Sequence, residues 1–194
     1  CLVGSEMCIR DRDNRCNTPL HLGCLNENLS CVLTLISAVY PQKEQKLLAN
    51  LEQWNYEGET SFFIACKAKN ISIMKALAEV GADVNSREGR SGYTSLHLAV
   101  ETKSKEVVEF LCENCTSLSI DTENYAQLTA YQLALLTSQE ELANYLIARG
   151  ATPYLTESDS EMEDDDDYSG EEEEEELEQH QIISKIAEIA LAVN

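Results

Sequence analysis

The sequence predicts an all-α solenoid of four helix-pair repeats with β-turn loops, followed by a disordered acidic tail. Three observations support this prediction. A six-residue pattern that begins with Thr occurs four times at similar intervals. Each copy is followed by a second apolar stripe at helical spacing. After Thr156 the chain changes abruptly from mixed to strongly acidic composition.

The repeated pattern marks the first helix of each unit. Its Thr hydroxyl can accept a hydrogen bond from a free N–H of the first helical turn. Gly58 and Gly92 each lie two residues before such a Thr and supply the turn geometry that precedes the helix. The four copies, separated by 42, 34 and 35 residues, are Thr18-Pro-Leu-His-Leu-Gly23, Thr60-Ser-Phe-Phe-Ile-Ala65, Thr94-Ser-Leu-His-Leu-Ala99 and Thr129-Ala-Tyr-Gln-Leu-Ala134. Both the interval and the pattern resemble those of ankyrin repeats, which have a period of about 33 residues and the sequence T-P-L-H-x-A.

The second helix of each unit is predicted from its apolar spacing. Short helix pairs cannot bury their faces alone, but four stacked units share a continuous core. The predicted core residues of these helices are Val32, Leu33, Leu35 and Ile36; Ile73, Met74, Leu77 and Ala78; Val107, Phe110 and Leu111; and Leu142, Tyr145 and Leu146.

The repeats are expected to occupy residues 13–155. Residues 1–12 have no repeat register and resemble a translation of sequencing-adapter DNA, so we interpret them as a non-native artefact. We then expect the natural amino terminus to be missing and the first repeat to fray. The long first interval contains an insertion, Tyr40 to Trp54, that we expect to form an extra helical turn on the loop side.

The tail has two parts. Residues 156–178 carry 15 acidic and no basic side chains, so self-repulsion predicts disorder. This segment could solubilise the chain, bind calcium weakly, or dock as a polyanion on a basic DNA-binding surface. Residues 179–194 are predicted to form a short amphipathic helix. From Thr156 onward, 16 acidic residues and one Lys give −15 of the formal net charge of −21.

Candidate chemistry is sparse. His21 and His97 occupy the fourth position of the pattern, where we expect them to join neighbouring loops by hydrogen bonds. Cys112 and Cys115 form one isolated CxxC pair, which is weak support for a metal or redox site. The unevenly spaced cysteines favour reduced, packed thiols in a cytosolic or nuclear protein. We therefore predict no enzyme activity, no cofactor, no metal and no membrane span.

Several features resemble the inhibitor-of-kappa-B (IκB/Cactus) family of ankyrin proteins over about residues 13–168. The segment Asn55-Tyr56-Glu57-Gly58 resembles the family's NYxG entry into a repeat. Gly81 to Val100 resembles its GADVN…GxTxLHLAV, and Ala130-Tyr131-Gln132-Leu133 resembles its final-repeat variant. The acidic Ser-containing region that follows is placed like the family's PEST segment.

The resemblance also has departures. Cys16 replaces the expected turn Gly, and Cys115-Thr116-Ser117-Leu118-Ser119 replaces GADVN, which predicts a distorted β-turn. The family's DSGxxS phosphodegron is not found in the sequence, which we attribute to a missing amino-terminal region.

The family resemblance implies a stoichiometric inhibitor that binds a Rel/NF-κB dimer through its repeats and blocks DNA binding and nuclear retention with help from the acidic tail. It implies a cytoplasmic protein with nuclear shuttling, a role in innate immune signalling, and no direct contact with nucleic acid or membrane. The implied partner-binding residues are Asn55, Tyr56, Glu57, Tyr93, Asn124, Tyr125, Tyr131, Gln132, Glu171, Glu172, Glu173, Glu174, Glu175 and Glu176.

Two modification hypotheses and an alternative function accompany this assignment. Ser158, Ser160 and Ser169 each precede an acidic residue by three positions, the spacing that casein-kinase-2-type kinases favour. The spacing of Ile183, Ile186, Ile189 and Leu191 fits a nuclear export signal, or else an amphipathic helix that covers apolar surface. The competing function is a generic ankyrin scaffold or a nuclear IκB-like co-regulator that binds Rel on DNA.

Overall fold

A computed structural model describes residues 12–39 and 51–153. This part of the chain forms eight α-helices in four helix-turn-helix pairs, which confirms the predicted all-α repeat fold. The pairs are α1 (Pro19–Leu25) with α2 (Leu29–Val39), α3 (Ser61–Lys67) with α4 (Ile71–Glu79), α5 (Ser95–Glu101) with α6 (Lys105–Asn114), and α7 (Ala130–Leu136) with α8 (Glu140–Ala148).

Each first helix begins directly after the Thr that the sequence predicts as its N-cap. Thr18, Thr60, Thr94 and Thr129 all have extended backbone, with ψ between 165° and 170°. The hydroxyls of Thr18, Thr60 and Thr129 accept the main-chain N–H three residues later, at 3.3–3.4 Å. Each of these bonds satisfies one donor that the helix itself cannot pair.

The core runs through the whole stack. The first helices α1, α3, α5 and α7 pack against one another in succession, and α2, α4 and α6 pack behind them. Most of the predicted core residues are buried, including Ile73, Met74 and Leu111. Leu33 was wrongly predicted to be in the core: it is 48% exposed, whereas its neighbour Val32 is fully buried. One residue of rotation along α2 accounts for this difference.

The first repeat leaves apolar surface uncovered in the described structure. Leu22 is 38% exposed, whereas Ile64 and Leu98, at the same position of the next two repeats, are 1% and 8% exposed. The same side of the pair also carries Leu25, which is 50% exposed. Each later repeat packs on the repeat before it. Within residues 12–39 and 51–153, no helix covers the corresponding side of the first repeat.

Two irregular regions of the sequence can be compared with the structure. Of the predicted insertion, only residues 51–54 are described; Leu51 is 1% exposed and so belongs to the core. At the end of α6, Cys115 has φ −105° and ψ 91°, whereas the equivalent turns after α4 and α8 use Gly81 and Gly150 at φ 90° and 97°. The turn after α6 therefore differs from the others. The segment interpreted as an artefact, residues 1–12, lies outside the described residues except for Arg12. The predicted acidic segment, residues 156–178, and the predicted amphipathic helix, residues 179–194, lie entirely outside them.

Candidate protein-binding surface

Four short loops project from the start of the first helices, and we call them fingers 1 to 4. They comprise residues 13–17, 55–59, 88–93 and 124–128. Each finger is closed by a hydrogen bond between its two ends, from the N–H of the first residue to the carbonyl of the last, at 2.9–3.1 Å.

The first side chain of each finger holds its turn in place. In finger 2, Asn55 Oδ1 accepts the N–H groups of Glu57 and Glu59, both at 2.9 Å. Asn124 does the same in finger 4 with the N–H groups of Ala126 and Leu128, at 2.9 and 3.0 Å. A short Asx side chain that bonds its own main chain favours a tight turn. Asp13 makes the equivalent bonds in finger 1.

Finger 3 is one residue longer and uses a longer acid. The Glu88 carboxylate accepts the N–H of Arg90 at 2.7 Å and also that of Ser91. Burial of Glu88 opposes its ionisation, but the main-chain donors of Arg90, Ser91 and Tyr93 outweigh burial and hold the pKa below its usual value. Glu88 is therefore an internal part of the finger, although its sequence position suggests a surface charge.

The residue two before each Thr adopts positive φ in all four fingers. Gly58 and Gly92 have φ 74° and 70°, as the sequence predicts, and Cys16 and Gln127 both have φ 58°. Cys16 therefore keeps the turn conformation despite replacing Gly. A non-Gly residue in this region carries a steric cost of order 1–2 kcal/mol, which the surrounding hydrogen bonds offset.

Neighbouring fingers are joined through their main chains. The N–H of Tyr56 donates to Arg15 O at 2.8 Å, that of Gly89 to Gly58 O at 3.1 Å, and that of Tyr125 to Ser91 O at 3.0 Å. These three bonds form a ladder that fixes the spacing of the fingertips. The ladder uses no side-chain atoms.

Two buried histidines join the fingers to the helices behind them. His97 Nδ1 lies 3.3 Å from Thr94 N and accepts its N–H, so the Nε2 proton faces Leu128 O, 2.8 Å away at the end of finger 4. His21 joins Thr18 to Glu59 O in the same way. Burial lowers the pKa of both imidazoles. These bonds confirm that the histidines connect adjacent loops.

Several aromatic and cationic side chains are exposed on or beside the fingers. Tyr56 is 81% exposed, Tyr125 is 60% exposed and Trp54, just before finger 2, is 55% exposed. Exposed Arg15 and Arg90 lie beside them. Tyr and Trp with Arg are the side chains that most often carry binding energy at protein interfaces.

The predicted partner-binding residues divide into exposed and buried sets. Tyr56, Tyr125 and the half-buried Glu57 lie on the finger surface. Half-buried Tyr93 stacks on His97, with ring centroids 5.5 Å apart. By contrast, the side chains packed inside the stack are Asn124, Tyr131 and Gln132.

Gln132 has a structural partner that explains its place in the pattern. Its Oε1 accepts the N–H of Thr129 at 2.9 Å, as the Nδ1 of His97 does for Thr94. The Gln side chain thus replaces one of the two His bonds.

The sequence analysis did not list four exposed residues that lie on or directly before the fingers, which are Arg15, Trp54, Arg87 and Arg90. Aligning the finger residues on Thr could have identified them.

The remaining candidate residues lie in the tail, outside the described part of the chain. They are Glu171–Glu176, the three serines, and the four apolar residues of the proposed export signal. Within residues 12–39 and 51–153, no group of His, Cys, Asp or Glu is arranged to hold a metal ion, and no helix has the length and apolar character to cross a membrane.

The cysteines of the described chain are free thiols. Burial raises the pKa of Cys24 and Cys66 to about 12 and that of Cys112 to about 11. Because the thiolate is the reactive form, these side chains are poor nucleophiles. Cys115, the other half of the CxxC pair, is also buried and its pKa is raised for the same reason.

Comparison with known proteins identifies the fold and its relatives. The profile of the family described as "Ankyrin repeats (3 copies)" matches residues 42–124 and 88–157. The NF-kappa-B inhibitor cactus of Drosophila melanogaster is 37% identical over 188 residues, an alignment that covers 84% of this chain and 37% of that protein. The chain therefore spans little more than a third of the length of this relative.

Two further similarities extend the comparison. The nuclear factor NF-kappa-B p105 subunit of Gallus gallus is 30% identical over 153 residues, covering 79% of this chain and 15% of that protein. The crystal structure of the ankyrin repeat domain of Bcl-3, described as a member of the IkappaB protein family, matches with a TM-score of 0.67 and 26% identity. That match covers 77% of this chain and 61% of the Bcl-3 chain.

Proposed function

The chain belongs to the ankyrin-repeat family and is Cactus/IκB-like in sequence, and on that premise we propose that it is a stoichiometric inhibitor of Rel/NF-κB transcription factors. It acts by binding and not by catalysis. The observation that carries the proposal is the 37% identity to a protein named as an NF-kappa-B inhibitor, over 84% of this chain. We place the protein in the cytoplasm, with shuttling through the nucleus.

The fingers supply the contact surface for the Rel dimer. Exposed Tyr56 and Tyr125 each offer a large, rigid side chain that loses little conformational entropy on binding. The hydrogen-bond ladder fixes the spacing between them, so the surface is largely organised before the partner arrives. The buried Asn124, Tyr131 and Gln132 contribute indirectly, because they hold finger 4 and α7 in position.

The acidic segment supplies the inhibition of DNA binding. A DNA-binding surface gains affinity because its Lys and Arg neutralise phosphates. A tethered run of carboxylates competes for the same cations at an effective concentration of about millimolar. Phosphorylation of Ser158, Ser160 and Ser169 by an acidophilic kinase would add about −2 charges at each site and strengthen that competition.

The test separates dimer binding from inhibition of DNA binding. Replacing Glu171–Glu176 with Gln should weaken inhibition in a gel-shift assay much more than it weakens capture of the Rel dimer, and high salt should reduce the difference. A matched control neutralises six acidic residues on helices instead: Glu79, Glu101, Glu106, Glu109, Glu140 and Glu141. Equal potency of the tail variant and the unmodified chain would exclude the competition mechanism.

The alternative function is a generic scaffold or a nuclear co-regulator that binds Rel while Rel remains on DNA. The acidic segment disfavours the co-regulator, because 15 carboxylates would repel the bound DNA. A supershifted ternary complex with DNA, in place of release of free DNA, would support the co-regulator. Failure to capture any Rel dimer would favour the scaffold.

A further inference from the structure

Fingers 1 and 3 concentrate positive charge on an otherwise acidic molecule. The described residues contain 16 Asp and Glu but only ten Lys and Arg. Four of these ten, Arg12, Arg15, Arg87 and Arg90, lie within or directly before fingers 1 and 3, and all four are exposed. Arg12 bonds to Gln53, whereas the other three have no hydrogen bond to a side chain among the described residues. We call these three, Arg15, Arg87 and Arg90, the arginine ridge.

The acidic side chains within fingers 1 and 3 bond mainly to main-chain groups of their own fingers, although Asp13 also interacts electrostatically with Arg15. Asp13 and Glu88 accept hydrogen bonds from main-chain N–H groups of their own fingers. The ion pairs present in the described part of the chain are Lys67 with Glu59 and Arg149 with Glu113, and they leave the ridge out. The ridge guanidinium groups are exposed, and within residues 12–39 and 51–153 no hydrogen bond or ion pair occupies their donors, which leaves these donors available to an anionic ligand.

The last described residues before the acidic segment lie near this ridge. Thr152 donates its N–H to Asp121 Oδ1 at 3.0 Å, and Asp121 lies three residues before finger 4. Finger 4 is bonded directly to finger 3 through Tyr125 and Ser91. Thr152, four residues before the acidic segment, therefore lies on the finger side of the stack, about one repeat away from Arg90.

The segment is long enough to reach the whole ridge. An extended chain spans about 3.3 Å per residue, so the 23 residues of 156–178 can cover roughly 75 Å. Packed helices lie about 8–10 Å apart, which places finger 1 roughly 30 Å from finger 4. The excess of acidic residues elsewhere on the described surface repels the segment and leaves the ridge as the favourable contact.

We propose that, in the free protein, the acidic segment 156–178 binds in cis to the arginine ridge formed by Arg15, Arg87 and Arg90. The segment then covers the same fingers that carry Tyr56 and Tyr125. A partner that binds the fingers must displace it, and displacement releases the carboxylates for a basic surface on that partner. Individual exposed ion pairs are weak, but tethering makes several of them act together.

The experiment compares backbone amide NMR spectra of the full chain with those of the full-chain variant in which Glu171–Glu176 are Gln. At low salt, the amides of Tyr56, Arg90 and Ser91 should shift several-fold more than those of Lys103 and Lys105. These two lysines follow α5, about 10 Å from finger 3 along the helix. In about 1 M salt, where the Debye length is about 3 Å, the difference should disappear.

Two triple variants provide the matched comparison. With Arg15→Gln, Arg87→Gln and Arg90→Gln together, neutralising the tail should no longer move the finger amides. With Lys69→Gln, Lys103→Gln and Lys105→Gln together, the effect should persist, because the same charge is removed at the other end of the helices. Shifts that are absent, that are equal at both ends, or that survive in the arginine variant would overturn the proposal. Shifts that grow with protein concentration would also overturn it, since they indicate contact between two copies.

The measurement needs no Rel protein, so its outcome does not depend on the proposed function. If the acidic segment does not contact the arginine ridge, the protein can still inhibit a Rel dimer. Conversely, the contact can be present in a chain that binds some other partner through its fingers.

Discussion

Replacement of Gly92 by Ala tests how tightly the fingers are packed. Gly92 has φ 70°, and a Cβ built on it would lie 2.5 Å from Cδ1 of the Tyr125 ring. The substitution therefore introduces two separate costs, which are the left-handed backbone of a non-Gly residue and a steric clash with finger 4. Gly150→Ala carries only the backbone cost, because Gly150 has φ 97° but no atom lies within 4 Å of a Cβ built on it.

The two costs can be estimated independently. Left-handed backbone costs about 1–2 kcal/mol for a residue with a Cβ, and overpacking costs about 1–3 kcal/mol. We therefore expect Gly92→Ala to lower the free energy of unfolding by about 2–5 kcal/mol and Gly150→Ala by about 1–2 kcal/mol. At about 3 °C for each kcal/mol, Gly92→Ala should lower Tm by roughly 10 °C.

The assay is thermal and urea denaturation of the full chain, followed by circular dichroism. Adding Tyr125→Ala removes the clashing ring, so the double variant Gly92→Ala/Tyr125→Ala should recover to about the level of Gly150→Ala. Tyr125→Ala alone should cost little, since the side chain is 60% exposed. Equal losses for Gly92→Ala and Gly150→Ala, or no recovery in the double variant, would refute this account of the finger contacts.

Four further predictions follow from buried side chains. His97→Ala should lower the free energy of unfolding by about 2–4 kcal/mol, since the bonded Thr94 N–H and Leu128 O lose their partner. His97→Gln should lower it by less, and urea denaturation can measure both variants. Burial lowers the pKa of His97 below that of the unfolded chain, so stability should fall as pH decreases below about 6.5, with a smaller slope in His97→Gln. Asn124→Ala should lower the free energy of unfolding by about 1–3 kcal/mol, and Asn124→Asp should lower it clearly less, because Asp13 performs the same role in finger 1. Urea denaturation that shows an equal loss for both variants would contradict the role of Asn124 in the turn. Cys66 should resist iodoacetamide in the folded chain at pH 8 and react after denaturation, as mass spectrometry can determine.

The repeat architecture could be predicted because its signals are local. Each helix start depends on a Thr and the few residues around it, and each second helix depends on apolar spacing within one turn or two. The prediction for Leu33 was wrong because it also rested on local apolar spacing alone. Apolar residues at consecutive positions in α2 do not reveal which of them faces the core, and only stacking on the neighbouring helices decides that.

The surface was harder to predict because it depends on contacts between repeats. Glu88 looks like a solvent-exposed charge in the sequence, yet its carboxylate is used inside finger 3. Tyr131 lies in a segment that resembles a family pattern, and it was assigned to partner binding together with Asn124, although both are buried. A motif records which residues accompany a function, but it does not separate those that touch the partner from those that support the contact surface.

The main-chain ladder between fingers separates the shape of this surface from its chemistry. Since no side chain takes part in those three bonds, substitutions at exposed tip positions such as Tyr56 or Arg90 can alter what the molecule recognises without changing where the tips stand. Related chains could therefore acquire new partners by exchanging a few tip residues on an unchanged frame. The same freedom makes this edge a practical place to engineer selectivity.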